Sequence, residues 1–190
     1  MTSTAAADPR PLTGEPLGID LLNTRWIDGA GHHDLLTGVD GLAVWLKSAA
    51  VRDALGGEPV PAGADTLEQL LLARAALDQA VESPAAPGPA AVEAVNAVLD
   101  HGRIRHVLRS DGPGTVIEVD APSWLPAWVA VESYLRLLAD RPERIRHCAN
   151  PSCVLHFYDV SKNGTRRWCS MAGCGNRAKA QRHQARVRPA

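Results

Sequence analysis

The sequence predicts an α+β chain dominated by helix. A multihelical N-terminal domain with one small β-hairpin is followed by a short C-terminal module of knuckle, hairpin and helix, tied together by four cysteines. Three observations predict it. Apolar residues recur at helical spacing through most of the first 140 residues. Two β-favouring runs flank a Gly-Pro turn late in that stretch. Beyond Arg141 the aliphatic residues thin out, all four cysteines appear and the charge reverses.

The reversal is large. The 190-residue chain has a formal net charge of −1, yet residues 1–140 hold 19 acidic and 9 basic side chains (net −10), and residues 141–190 hold 2 and 11 (net +9). A near-neutral average thus hides an acidic block joined to a basic one, and the basic block points to anion binding. The 45% hydrophobic content excludes wholesale disorder. No run reaches the roughly 18–20 apolar residues of a membrane span. The segment Met1–Pro11 has neither a basic nor an apolar signal region, so the expectation is a cytoplasmic chain in reducing surroundings. The divisions expected are a mobile 1–15, an acidic helix-rich domain over 16–140 that senses a small molecule or dimerises, and a basic module over 141–190.

Taken in order, Leu17–Leu22 is a short apolar run, strand or helical turn. Val39, Leu42, Leu46 and Ala49 keep helical spacing, with Thr37 and Asp40 as a capping-box-like start. Asp65–Val81, carrying Leu67, Leu70, Leu71, Leu77 and Val81, reads as an amphipathic helix that ends in the stiff loop Ser83–Pro89. Ala91, Val95 and Val98 mark another helix, closed before Gly102. Ile104–Arg109 and Thr115–Asp120 are β candidates around a turn at Asp111–Gly114. Trp124, Trp128, Val131, Leu135 and Leu138 form one stripe of a last helix with Ser123 as N-cap, a stripe that reads as core rather than as pocket lining.

The cysteines Cys148, Cys153, Cys169 and Cys174 are spaced Cys-x4-Cys, fifteen residues, Cys-x4-Cys. Two paired thiols with a hairpin-length insert suit one tetrahedral, all-thiolate zinc ion that is structural, because four thiolates leave no open position for catalysis. A pair of disulfides and a redox thiol are the competing readings. Reducing surroundings oppose the first, and the symmetric clustering without a Cys-x2-Cys opposes the second. His147 and His156 are not needed as ligands. The insert is expected to form a hairpin between residues 155–160 and 166–168 around Asn163-Gly164, with Phe157, Tyr158 and Trp168 as the module's small core.

After Cys174 the residues favour helix. Lys179, Arg182, His183 and Arg186 fall on one cationic face, Arg177 turns toward the knuckle, and Lys162, Arg166 and Arg167 add charge from the insert. Such a face can simply be solvated. Here nine of eleven basic residues are Arg, which suits bidentate phosphate contact, and nucleic acid is the partner this implies. The candidate contacts are Lys162, Arg166, Arg167, Lys179, Arg182 and Arg186.

Cys148-Ala149-Asn150-Pro151-Ser152-Cys153, Phe157-Tyr158-Asp159, Arg167-Trp168-Cys169-Ser170-Met171 and Cys174-Gly175-Asn176-Arg177-Ala178-Lys179 resemble the CGNR zinc-finger family over about forty-five residues. The preceding block, through Leu21-Leu22-Asn23-Thr24, is similar to that family's usual partner, a helix-rich domain described as a putative stress-induced transcription regulator. The resemblance implies a structural zinc ion and a DNA-binding regulator of transcription, with binding of RNA as the alternative. An effector would then engage Asn23, Thr24 and Arg25, although Asn23-Thr24 also suits capping of a helix. An enzyme using Asn23, Arg25, His32, His33 and Asp34 is a third reading, opposed by the lack of a second ligand cluster, so the expectation is a non-enzyme. Whether the acidic block folds over the basic one and screens it is left to the structure.

Overall fold

A computed structural model describes residues 7–180. Among the described residues, the helices α1 (Leu17–Leu22), α2 (Val39–Lys47), α3 (Ala49–Ala54), α4 (Ala64–Val81), α5 (Pro89–Leu99) and α6 (Leu125–Asp140) are joined by three two-stranded antiparallel hairpins, and a further helical stretch follows residue 175. The hairpins are β1 (Arg25–Asp28) with β2 (Gly31–Asp34), β3 (Gly102–Arg109) with β4 (Gly112–Val119), and β5 (Ile145–His147) with β6 (His156–Tyr158). The chain is helix-dominated α+β, as its apolar periodicity predicts.

The main core forms where α1, α4, α5 and α6 meet. All six residues of α1 are buried, so this run is a core helix and not a strand. Gly18 permits the close crossing of α1 and α6: a Cβ there would lie 2.7 Å from the Ala130 carbonyl oxygen and 2.8 Å from Tyr134 Cβ. Ala73, Ala76, Leu77 and Ala80 of α4 face Trp128, Val131 and Tyr134 of α6 in the same cluster. Burying such side chains stabilises by about 1.5–3 kcal/mol for each large one.

Several local expectations are corrected. The helix expected to run through Ala49 breaks at Ser48, whose hydroxyl accepts from the Val51 amide at 3.4 Å and starts α3. No capping box forms at Thr37, because Thr37 ends a 3-10 turn and Gly38 is the N-cap. Ser123 lies inside the 3-10 turn Pro122–Trp124 and caps nothing. The late hairpin turns at Ser110-Asp111, since Arg109 pairs with Gly112 and draws Gly112–Gly114 into the strand. In the Trp stripe, Trp128 is buried and donates from Nε1 to the Leu99 carbonyl at 3.0 Å, whereas Trp124 is only half-buried and stacks on His101.

The hairpin β1–β2 lies in a stretch to which the apolar spacing assigns no element. Its signal was Asp28-Gly29 behind Arg25-Trp26-Ile27; Asp28 Oδ1 accepts from the Ala30 amide at 2.8 Å and closes the turn. Arg74 of α4 pins the far end of β2 with both terminal nitrogens on the Asp34 carboxylate, at 2.7 and 2.8 Å. Burial opposes ionisation of Asp34, but Arg74 and the Leu36 amide hold its carboxyl below the usual range.

The segment before α1, expected to be mobile up to Glu15, is packed from Asp8 onward. Arg10 is 6% exposed and bonds the Asp8 and Asp20 carboxylates, and Glu15 reaches Arg166 in the C-terminal block.

Candidate metal centre and the surface around it

The hairpin β5–β6 brackets the first knuckle. Ile145, Arg146 and His147 pair with Tyr158, Phe157 and His156. The Cys148 amide donates to the Leu155 carbonyl at 2.9 Å and the Cys153 amide to the Asn150 carbonyl at 2.9 Å, turning both sulfurs to one side. The hairpin expected between 155–160 and 166–168 does not form. The partner of β6 comes from before the knuckle, and Asn163-Gly164 only turns a loop, with Gly164 at φ +59. That loop is held by Asp159, wholly buried, whose oxygens accept from the Ser161 and Arg166 amides at 2.9 Å each. The Ala149 amide donating to the Arg167 carbonyl at 2.8 Å returns the chain to the knuckle.

Of the second pair, Cys169 precedes and Cys174 sits on one wide helical turn, Met171–Gly175, after which α-helical backbone runs on through residue 180. At Gly175 the Met171 side chain folds close, and a Cβ would lie 2.8 Å from its Sδ. The four sulfurs, all buried, lie within 4.8 Å of one another, with Cys153–Cys169 at 3.8 Å and Cys169–Cys174 at 3.6 Å. Four thiolates about 2.3 Å from a tetrahedral zinc ion stand about 3.8 Å apart, so the set can take one zinc ion without rearrangement. Its electrostatics agree. The Cys153 thiol is brought down to about 5, chiefly by a hydrogen bond from Cys169, while Cys169 is pushed up by its bond to Cys153 and by burial. One thiolate thus suppresses its neighbours, and full ionisation needs a dication among them. Three N–H groups are aimed at the sulfurs: Asn150 Nδ2 at 3.2 Å from Cys174, the Cys169 amide at 3.4 Å from Cys148, and Arg177 Nη2 at 3.5 Å from Cys174.

The core of this module is shared with the acidic block. Trp26 of β1, 7% exposed, packs among the cysteines with Leu155 and Phe157, and Leu12 and Leu35 lean on the same cluster. Tyr158 and Ile145 instead join the main helical core, and Trp168 is only partly buried. Asn23 makes the tightest joint. Its Nδ2 donates to the His156 carbonyl and its Oδ1 accepts from the His156 amide, both at 2.9 Å, so one side chain serves as a partner strand for the edge of β6. Substituting Asn23→Ala leaves that buried amide and carbonyl unpaired. It is expected to cost about 2–3 kcal/mol, read as a lowered urea midpoint with unchanged slope.

The candidate contacts separate accordingly. Asn23 and Thr24 are buried and engaged, Thr24 donating to the Leu21 carbonyl at 2.7 Å and accepting from Arg74 at 2.8 Å. Arg166 is consumed internally. It bonds Glu15 at 2.9 Å and the Cys169 and Trp168 carbonyls at 2.7 and 3.1 Å, and lies 4.2 Å over the Phe157 ring, so it supports the module and is not a surface cation. Lys162, Arg167 and Lys179 are exposed, while Arg182 and Arg186 lie outside the described residues.

Arg25 points elsewhere, paired with Asp78 across a cleft of about 620 Å³ between the β1–β2 and β5–β6 hairpins. Leu22, Arg25, Trp26, His32, His33, Asp34, Thr37, Asp78, Glu82, His147, Val154 and His156 line it. The candidates Arg25, His32, His33 and Asp34 therefore do converge, joined by two histidines from the other block. Burial, with His147 and Arg25 near, brings His156 down to about 4, so its imidazole is neutral at physiological pH.

Two family models match the chain. A family model described as "Putative stress-induced transcription regulator" matches residues 15–141, and one described as "CGNR zinc finger" matches residues 144–187. No curated protein matches the chain. None of the described helices is long and apolar enough to cross a membrane.

Proposed function

The chain belongs to the family described as "Putative stress-induced transcription regulator" and carries a CGNR zinc finger, and from that premise we propose that it binds DNA through the basic surface its zinc site holds in place, as a regulator acting in the cytoplasm. The observation that carries this reading is the placement of exposed cations around a metal-rigidified module. Lys162, Arg167 and Lys179 are exposed in the module that holds the cysteine cluster, and the sequence adds Arg182 and Arg186, which lie outside the described residues. With Arg166 withdrawn to the interior, five cations remain for phosphate. The acidic block takes the sensing role, because its Arg25, His33 and Asp78 line the cleft against the zinc module. The families matched are those of a regulator and a zinc finger, and no catalytic role is proposed.

Five phosphate contacts give a slope of log K against log salt of about −4.5 on duplex DNA and about −3.5 on a single strand. The double variant Lys162→Ala, Arg167→Ala is expected to flatten that slope by about 1.8 and to weaken binding evenly across sequences. Fluorescence anisotropy with labelled duplexes from 50 to 300 mM salt reads both. Binding insensitive to salt sinks the proposal. Preference for structured RNA over duplex DNA replaces the target and keeps the surface.

A further inference from the structure

We propose that the cleft between the β1–β2 and β5–β6 hairpins binds a small flat organic cation, an amidine, guanidine or protonated amine on an aromatic body; the inference rests on the effector reading above and gives it a site and a ligand class. The volume, about 620 Å³, is that of a small-molecule site. Part of its wall is a stacked pair of rings. Trp26 and His33 stack with centroids 4.9 Å apart and an interplanar angle of 12°, which suits a planar ring laid beside them.

Charge selects the sign. Of the three carboxylates in the lining, Asp34 is satisfied by Arg74 from behind. Asp78 has only Arg25, and both members of that pair stay about two-fifths exposed to the cleft. Glu82 is exposed and makes no hydrogen bond or ion pair among the described residues. Arg25 is the one basic group of the lining that is charged irrespective of pH, and it is already committed to Asp78. An anion would meet the unpaired Glu82; a cation pairs it, and an amidinium can give a carboxylate two parallel N–H bonds. The imidazoles of His32, His147 and His156 make no ring hydrogen bond among the described residues, so they remain open to a ligand's donors. A metal ion is not the better occupant. Among the described residues the only group of three or more ligating side chains close enough for one is the cysteine set.

The position also matters. His147 and His156 stand on the strands that flank the Cys148–Cys153 knuckle, while Asp78 and Glu82 stand at the end of α4. A ligand in the cleft therefore touches the acidic block and the zinc module together.

The test titrates benzamidine, benzamide and benzoate into zinc-loaded full-length protein, following the Trp26 indole resonance assigned with Trp26→Phe. Benzamidine is expected to move that resonance saturably, with benzamide and benzoate at least tenfold weaker. Glu82→Gln combined with Asp78→Asn should weaken benzamidine about tenfold at an unchanged melting midpoint. Benzoate binding as tightly as benzamidine, no saturable shift with benzamidine, or saturation that leaves the Trp26 resonance still overturns the inference. Duplex DNA binding, measured on the same preparation, separates the two readings. DNA binding without benzamidine binding removes the cleft alone; benzamidine binding without DNA binding supports the cleft and removes the DNA-binding reading.

Discussion

Stripping zinc from the protein, or replacing Cys153 or Cys174 by Ser, unfolds the C-terminal module and takes the β1–β2 hairpin with it, while α4, α5 and α6 stay packed. The reason is the size of the second core. Apart from the cysteines, its fully buried members are Trp26, Leu155 and Phe157. Three apolar side chains contribute about 5–9 kcal/mol, too little to order several tens of residues, whereas a structural zinc ion contributes on the order of 10–16 kcal/mol in isolated fingers. The loss spreads because Trp26 sits in the metal cluster and Asn23 is bonded at both ends to His156. Helices α4–α6 bury their own core and are spared. Hydrogen exchange during chelator titration checks this: protection should vanish together over 144–180 and 25–34 and persist in α4–α6. Retained protection around Cys148 after complete zinc loss, or simultaneous collapse of α6, contradicts it.

This shared dependence explains which parts were legible in the sequence. The helices α4, α5 and α6 follow from apolar spacing because each packs one stripe on a common core, and the zinc site follows from the spacing of four cysteines. What sequence spacing cannot show is a side chain that works across 133 residues of chain, as Asn23 does on β6. Read alone, Leu21-Leu22-Asn23-Thr24 suits either a ligand contact or a helix cap. Asn23 is the C-cap of α1 and Thr24 bonds the Leu21 carbonyl, and the Asn23 side chain is in addition the joint between the two blocks. Arg166 misled for the opposite reason: a cation in a basic run reads as surface, but three acceptors and the Phe157 ring draw it inward. The β5–β6 pairing was missed because Asn163-Gly164 is a strong turn signal, and the strand preceding the knuckle, only three residues long, carries none. The cleft took its lining from both blocks, so neither half of the sequence announces it.

The substitution Asp20→Ala is expected to destabilise the acidic block by about 3–5 kcal/mol, a large part of the 5–15 kcal/mol that holds a domain folded. Asp20 is 1% exposed on α1. Its Oδ1 accepts from Arg10 Nη1 at 2.6 Å and from the Trp45 indole at 2.9 Å, and its Oδ2 from the Gly14 amide at 3.0 Å. One carboxylate thus binds the leading segment, α1 and α2 to each other. Removing it leaves the indole N–H and the Gly14 amide without partners. It also leaves a guanidinium whose side chain is wholly buried with only Asp8 to balance it. Each orphaned group costs about 1–3 kcal/mol, and the unpaired charge more. Asp20→Asn keeps an acceptor for Trp45 but not the charge, and should fall between wild type and Ala. Pairing Asp20→Asn with Arg10→Met removes the stranded cation and should recover stability, because a buried ion pair replaced by apolar groups of similar size is often neutral. Urea unfolding of wild type, Asp20→Asn, Arg10→Met and the double variant closes the cycle, with an expected coupling of about 1–3 kcal/mol. Additive single effects, or a loss below about 1 kcal/mol in Asp20→Ala, would mean that water replaces the carboxylate and that the leading segment is not held through it.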